Sequence, residues 1–222
     1  MSGQRSESYL VGAVLAVAGG FLDAYTYICR GHVFANAQTG NIVLLGVNLA
    51  AGEWTSLLYY LIPILCFFVG ILAAEMIRNR FFAHPAIHWR QIIVAIEIAV
   101  LFAVGFMPAG DWDLLANACV SFACSLQVQG FRKVNGNPYA TTMCTGNLRS
   151  ATEHLYRYYK TGDKEALHSS LQYYGIIGLF IAGAAIGTAL SGWWGIYAVW
   201  AVCAVLAVVL ILMIQKREEK CV

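Results

Sequence analysis

Two carboxylic acids stand where an apolar environment penalises them: Asp23, inside the run YLVGAVLAVAGGFLDAYTYI, and Glu97, inside QIIVAIEIAVLFAVGFM. A charge at the centre of a membrane helix costs ~2.5 to 3.5 kcal/mol on insertion scales, so such side chains face a polar cavity, find a partner, or exchange a proton. Asp23 is the first candidate for a coupling residue; its alternative is a protonated or paired carboxyl that locks one segment to another. Glu97 is the second, and its alternative is a static pair with an Arg at the membrane boundary. The tripeptide Thr-Gly-Asn occurs twice, as Thr39-Gly40-Asn41 and Thr145-Gly146-Asn147, at an offset of 106 residues. The same offset places Asp23 on Gln129 and Tyr25 on Phe131.

If each tripeptide opens a helix, Thr39 is an N-cap whose hydroxyl accepts from a free backbone N–H, and Gly40 lets another backbone come close. The unpaired N–H groups and positive end of the helix then suit a carboxylate or small anion. The candidate solute-binding residues are therefore Asp23, Thr39, Gly40, Asn41, Gln129, Thr145, Gly146 and Asn147. The competing reading is that the two motifs cap interfacial helices and pack two halves together.

The elements that must position these residues are six apolar stretches, Tyr9–Ile28, Leu57–Ile77, Gln91–Met107, Leu114–Phe131, Leu171–Leu190 and Ile196–Ile214. Each is about long enough to cross a ~30 Å hydrocarbon layer as a helix. With six spans, thirteen of the fourteen Lys and Arg residues fall on one side, from Arg5 through Arg78, Arg90, Arg132 and Arg149 to Lys220, and only Arg30 falls on the other. Positive residues near span ends stay cytoplasmic, so both termini are expected inside. Hydrophobic residues make up 59% of the chain and charged residues 12%, against about a quarter charged in soluble proteins, so 1–222 reads as a single membrane domain. The first stretch exceeds the apolar core of a secretory signal and contains Asp23, so it is expected to be retained as a span. The net charge of +2 reflects topology and implies no nucleic-acid partner.

Catalytic constellations are not apparent. The seven cysteines lack ligand spacing and read as packing residues, and His32, His84, His88, His154 and His168 all fall in connections, so neither metal nor cofactor is expected. Ser121, Ser125, Gln127 and Gln129 give the fourth stretch a polar stripe that lipid would not favour. Glu75 beside Arg78 is explained by snorkelling. Gly183-x-x-x-Gly187 permits close helix contact inside the chain or between subunits, so a homodimer is possible.

FFVGILAA (67–74) resembles FIAGAAIG (180–187) once seven extra residues around Lys160 to His168 are allowed. Each half, 9–107 and 114–214, then reads as span, Thr-Gly-Asn element, span, span. Three spans is an odd number, so the halves enter the membrane from opposite sides. Such inverted repeats are common in secondary transporters, with the site near the midplane. In the first half, NIVLLGVNLAA (41–51) has the size of a half-helix. In the second, LRSATEHLYRYYK (148–160) is amphipathic, with Arg149, Glu153, Arg157 and Lys160 on one face.

GGFLDAYTYICRGHVFANAQTGN (19–41) and QGFRKVNGNPYATTMCTGN (129–147) together resemble the YoaK family, bacterial six-span membrane proteins catalogued as a domain of unknown function. The resemblance implies a bacterial inner-membrane location and supplies no substrate. The expectation is an all-α membrane protein with an inverted three-plus-three repeat, acting on a small-molecule solute as a non-enzymatic transporter or permease. Small anions or carboxylates, with proton coupling, are the expected cargo. The alternatives are a non-transporting scaffold or regulatory protein that docks a partner on 149–164, or a membrane-embedded enzyme built around His32 near Arg30 and Asp23.

Overall fold

The computed structural model describes residues 8–82, 84, 87–142 and 144–218, with side chains described to Ile214. Arg5, Lys220, Cys221 and Met143 lie outside these residues, as do the side chains of Lys216 and Arg217. Eight α-helices follow in order: α1 (Tyr9–Cys29), α2 (Gln38–Ala51), α3 (Trp54–Phe81), α4 (Trp89–Val104), α5 (Asp113–Gly130), α6 (Cys144–Thr161), α7 (Lys164–Trp194) and α8 (Val199–Glu218). Between α5 and α6 a two-residue ladder, β1 (Lys133–Val134) with β2 (Asn137–Pro138), is the one departure from an all-helical chain among the described residues. Its Asn135-Gly136 turn has φ of 47° and 83°, the left-handed pair that a two-residue hairpin of this hand requires.

Local signals set several helix ends. Ser8 caps α1 by accepting from the Val11 amide, and Asp163 caps α7 by accepting from the Glu165 and Ala166 amides. Gly52 closes α2 at φ 74°. Three segments are long and apolar enough to cross a membrane: Tyr9–Cys29, Trp54–Phe81 and the continuous run Lys164–Ile214. Helix α4 has only 16 residues, and α5 is the more polar, with Asn117, Ser121, Ser125 and Gln127 buried in it. Neighbouring helices cover that polar surface, so lipid does not meet it.

The largest helix interfaces are α1 with α7 and α3 with α5. Both pairs run parallel. Tyr9, Val17 and Phe21 of α1 meet Gly175, Gly183 and Gly187 of α7 in ascending order. On the other side Ser121, Ser125 and Gln129 of α5 meet Pro63, Gly70 and Glu75 of α3. Helices α1 and α5 are antiparallel, since Gln127 donates to the Leu15 carbonyl while Arg30 reaches Asp113. Helices α2 and α6 lie on α3 and α7, and α4 and α8 pack on each other and on α5 and α1. The apolar core is built there, around Leu15, Leu22, Ile93, Leu101, Leu126 and Leu206.

Glycine makes the parallel pairs possible. A Cβ on Gly20 would overlap the Phe180 carbonyl, and one on Gly183 the Val17 carbonyl. The Gly183-x-x-x-Gly187 pattern thus serves contact within the chain, both glycines facing α1. It is not what a subunit interface in this chain would use.

Candidate functional site

A cavity of about 1070 Å³ opens between α1 and α7 on one side and α3 and α5 on the other. Its lining includes Asp23 and Gln129, together with Thr39 from the first turn of α2 and Thr145, Gly146 and Asn147 from the first turn of α6. Six of the eight candidate solute-binding residues therefore meet in one place. Gly40 and Asn41 are not part of the lining.

The Thr-Gly-Asn elements differ from the expected caps. Helix α2 begins at Gln38 with Ala37 at the cap position and no side-chain cap bond, so Thr39 lies inside the first turn. Thr145 likewise lies inside the first turn of α6. The glycines do not permit a close approach of protein backbone, because a Cβ on Gly40 or Gly146 would meet nothing within 4 Å. The structural work falls to the asparagines. Asn41 donates to the Phe34 carbonyl and Asn147 to the Ala140 carbonyl, each seven residues earlier, so each folds the preceding loop back onto its own helix start. Asn147 also accepts from the Ala140 amide.

Asp23 is 8% exposed, and one carboxylate oxygen accepts from the Asn36 amide at 3.1 Å. Asn36 in turn donates to the Gly19 carbonyl, which ties the loop before α2 to the middle of α1. Gln129, the residue 106 positions after Asp23, donates to Glu75 of α3. Glu75 also pairs with Arg78 at 3.5 Å, so it has an α5 partner that snorkelling alone does not describe. The rest of the polar stripe of α5 holds the helices together: the Ser121 hydroxyl lies within donating distance of both the Ala35 and Pro63 carbonyls and serves one at a time, and Gln127 donates to Leu15.

Glu97 lies apart from the cavity. It is fully buried among α4, α5 and α8, and neither oxygen has a hydrogen-bond partner among the described residues. The static pair with an Arg, the alternative to a coupling role, is not formed among the described residues. Arg30 is also fully buried. It donates to Tyr25, to Asp113 at 3.1 Å, and to the Val104, Met107 and Pro108 carbonyls. His32 packs edge-on against Tyr27 outside the lining, and Arg30 is committed to Asp113, so the two do not assemble a reactive group with Asp23.

Several lining residues were not singled out from sequence: Asn36, Arg132, Tyr139, Thr142, Phe67 and Phe180. The last two open the paired segments FFVGILAA and FIAGAAIG, so the repeat offered a signal for them. On the cavity wall, burial raises the Tyr139 phenol above its ordinary value, an effect Arg90 partly offsets.

The family model described as Protein of unknown function (DUF1275) matches residues 11–212. The chain is 25% identical over 153 residues to the UPF0700 transmembrane protein YoaK of Bacillus subtilis (strain 168), a match covering 64% of this chain and 65% of that relative. The aligned region thus spans a little under two thirds of the relative's length. No solved structure matches the chain.

Proposed function

The chain belongs to the DUF1275 family, whose description assigns no function, and from that premise we propose that this membrane protein is a small-solute transporter or permease. Its solute site is the cavity between α1/α7 and α3/α5, and its cargo a small organic or inorganic anion, a carboxylate above all, moved with proton coupling. One observation carries the reading: both Thr-Gly-Asn helix starts open onto one cavity that also holds Asp23 and Gln129. Unpaired N–H groups at helix starts attract anionic groups.

The proposal includes six spans, an inverted three-plus-three repeat and both termini on the cytoplasmic face of a bacterial inner membrane. Support for the repeat comes from contacts. Helix α1 packs on α7 as α5 packs on α3, and the two parallel pairs arise from antiparallel first helices. An offset of 113 carries Phe67 onto Phe180, Gly70 onto Gly183 and Ile71 onto Ala184. Phe67, Ile71, Phe180 and Ala184 all line the cavity, while Gly70 and Gly183 each receive a backbone carbonyl of the neighbouring parallel helix. A site between inverted repeats is the arrangement that alternating access uses.

The scaffold alternative finds less support. Arg149 pairs with Glu153 and Arg157 with Asp163, which neutralises much of the charge that would attract an acidic partner.

Uptake by proteoliposomes holding the purified chain tests the proposal, with carboxylates, inorganic anions and amino acids as solutes, internal pH followed by a dye, and Asp23→Asn as control. Saturable uptake lost in the variant is expected. Folded, inserted protein that carries no flux across the panel would sink the transport reading.

A further inference from the structure

The lining holds two ionisable side chains of opposite kind, the Asp23 carboxyl and the Arg132 guanidinium. They form no salt bridge with each other, and Arg132 has no ion pair among the described residues. Asp23 uses one oxygen on the Asn36 amide and leaves the other without a hydrogen bond. Asn36 and Thr142, both more than nine-tenths buried, each keep a side-chain oxygen with no partner. Buried polar groups are normally satisfied, so these oxygens are available to a polar group of a ligand. On the same cavity wall as Arg132, α6 opens with Thr145 and Gly146, and a Cβ on Gly146 would meet nothing within 4 Å.

Size and polarity narrow the ligand. The volume of about 1070 Å³ is at the upper end of small-molecule sites and far exceeds an inorganic anion. Aromatic rings also line the walls: Phe67 from α3, Phe180 from α7, Tyr27 from α1 and Phe34 from the loop before α2. A simple anion would satisfy the α6 end and leave the second Asp23 oxygen facing the cavity without a donor.

We propose that the cavity binds a zwitterionic organic solute, its ammonium group at Asp23, its carboxylate at the α6 start beside Arg132, and an apolar or aromatic body between Phe67 and Phe180. The inference rests on the reading of this cavity as the solute site and names its substrate class. Charges of both signs on one ligand complement both unpaired residues, and an ammonium also gains from the faces of nearby aromatic rings. The groups facing Asp23 from neighbouring elements are Asn36, Cys124 on α5, Cys144 on α6 and Thr188 on α7. None is a cation that would compete with an ammonium group at Asp23.

Thermal stabilisation of the full chain in detergent, titrated with phenylalanine, N-acetylphenylalanine, phenylalaninamide and 3-phenylpropionate, tests this. Phenylalanine is expected to bind at least tenfold more tightly than the three analogues, each of which lacks one charge. Asp23→Asn should erase the preference over 3-phenylpropionate, and Arg132→Gln the preference over phenylalaninamide. The wild-type comparison stands even if a variant does not fold. If 3-phenylpropionate binds as well as phenylalanine, the ammonium subsite is wrong and the anion reading survives. If the amide binds equally, the carboxylate subsite is wrong. If no compound stabilises the chain, the zwitterion class is rejected, and proteoliposome flux separately decides whether the protein transports at all.

Discussion

Asn41 and Asn147 make the same hydrogen bond 106 residues apart: each donates its side-chain N–H to the carbonyl seven residues earlier, Phe34 and Ala140 respectively. The asparagine of each Thr-Gly-Asn is therefore a loop fastener, while its threonine faces the cavity. Asn147 is 3% exposed and Asn41 1%, so water cannot replace either bond.

Asn147→Ala should lower stability by about 1–3 kcal/mol, because the Ala140 amide and carbonyl both lose their partner. Asn41→Ala should cost less, since one backbone group rather than two is orphaned. Thermal unfolding of both variants in detergent checks the order.

Arg30 binds three carbonyls at the end of α4 together with Asp113 and Tyr25. Arg30→Met leaves Asp113 without its guanidinium partner in a mostly buried site, and a loss of about 3–5 kcal/mol is expected. Arg30→Lys should rescue little, because a single ammonium cannot reproduce a planar five-donor fork. Denaturant titration of the three proteins measures both effects.

Gly20→Ala and Gly183→Ala each drive a methyl into a backbone carbonyl across the α1–α7 interface, and each should destabilise by about 1–3 kcal/mol or more. Gly178→Ala, on the same helix with nothing within 4 Å, should be neutral or slightly stabilising. Comparable melting temperatures for all three would contradict the parallel pairing.

Glu97 is buried with both oxygens unpartnered, so it contributes nothing by pairing. Glu97→Leu should leave thermal stability unchanged or raise it. If uptake is nevertheless lost in this variant, Glu97 acts in coupling; if uptake persists, it does not.

The Arg157 guanidinium, with help from the Ala166 and Glu165 amides, holds the Asp163 carboxyl below its ordinary value of 3.8. The folded value lies below the unfolded one, so the stabilisation is complete above the ordinary carboxylate range and disappears as pH falls through the folded value. The melting-temperature advantage of wild type over Asp163→Asn should therefore be present at neutral pH and vanish in acid. The side chain is exposed, so the advantage is small and shrinks in high salt.

Much was legible from residue types alone. Long apolar runs, the small share of charge and the polar stripe on α5 identify a helical membrane protein, because burying a backbone in lipid leaves few alternatives to helices. The offset that pairs Asp23 with Gln129 and Thr39 with Thr145 predicted residues that share one cavity, since each tripeptide lies in the first turn of the helix that follows the loop after α1 or α5. Three-dimensional packing decided the rest. Gly40 and Gly146 face open space, and Thr39 lies inside α2, because the reach of Asn41 to Phe34 lets the helix begin earlier than a threonine cap would. Asn36, Thr142 and Arg132 joined the site through loops that the side chains of Asn41 and Asn147 fold back. Glu97 and Asp23 look alike in sequence, each a lone acid in an apolar run. Only the packing of α4 and α8 on each other and on α5 and α1 seals one carboxyl in the core and leaves the other on the cavity wall.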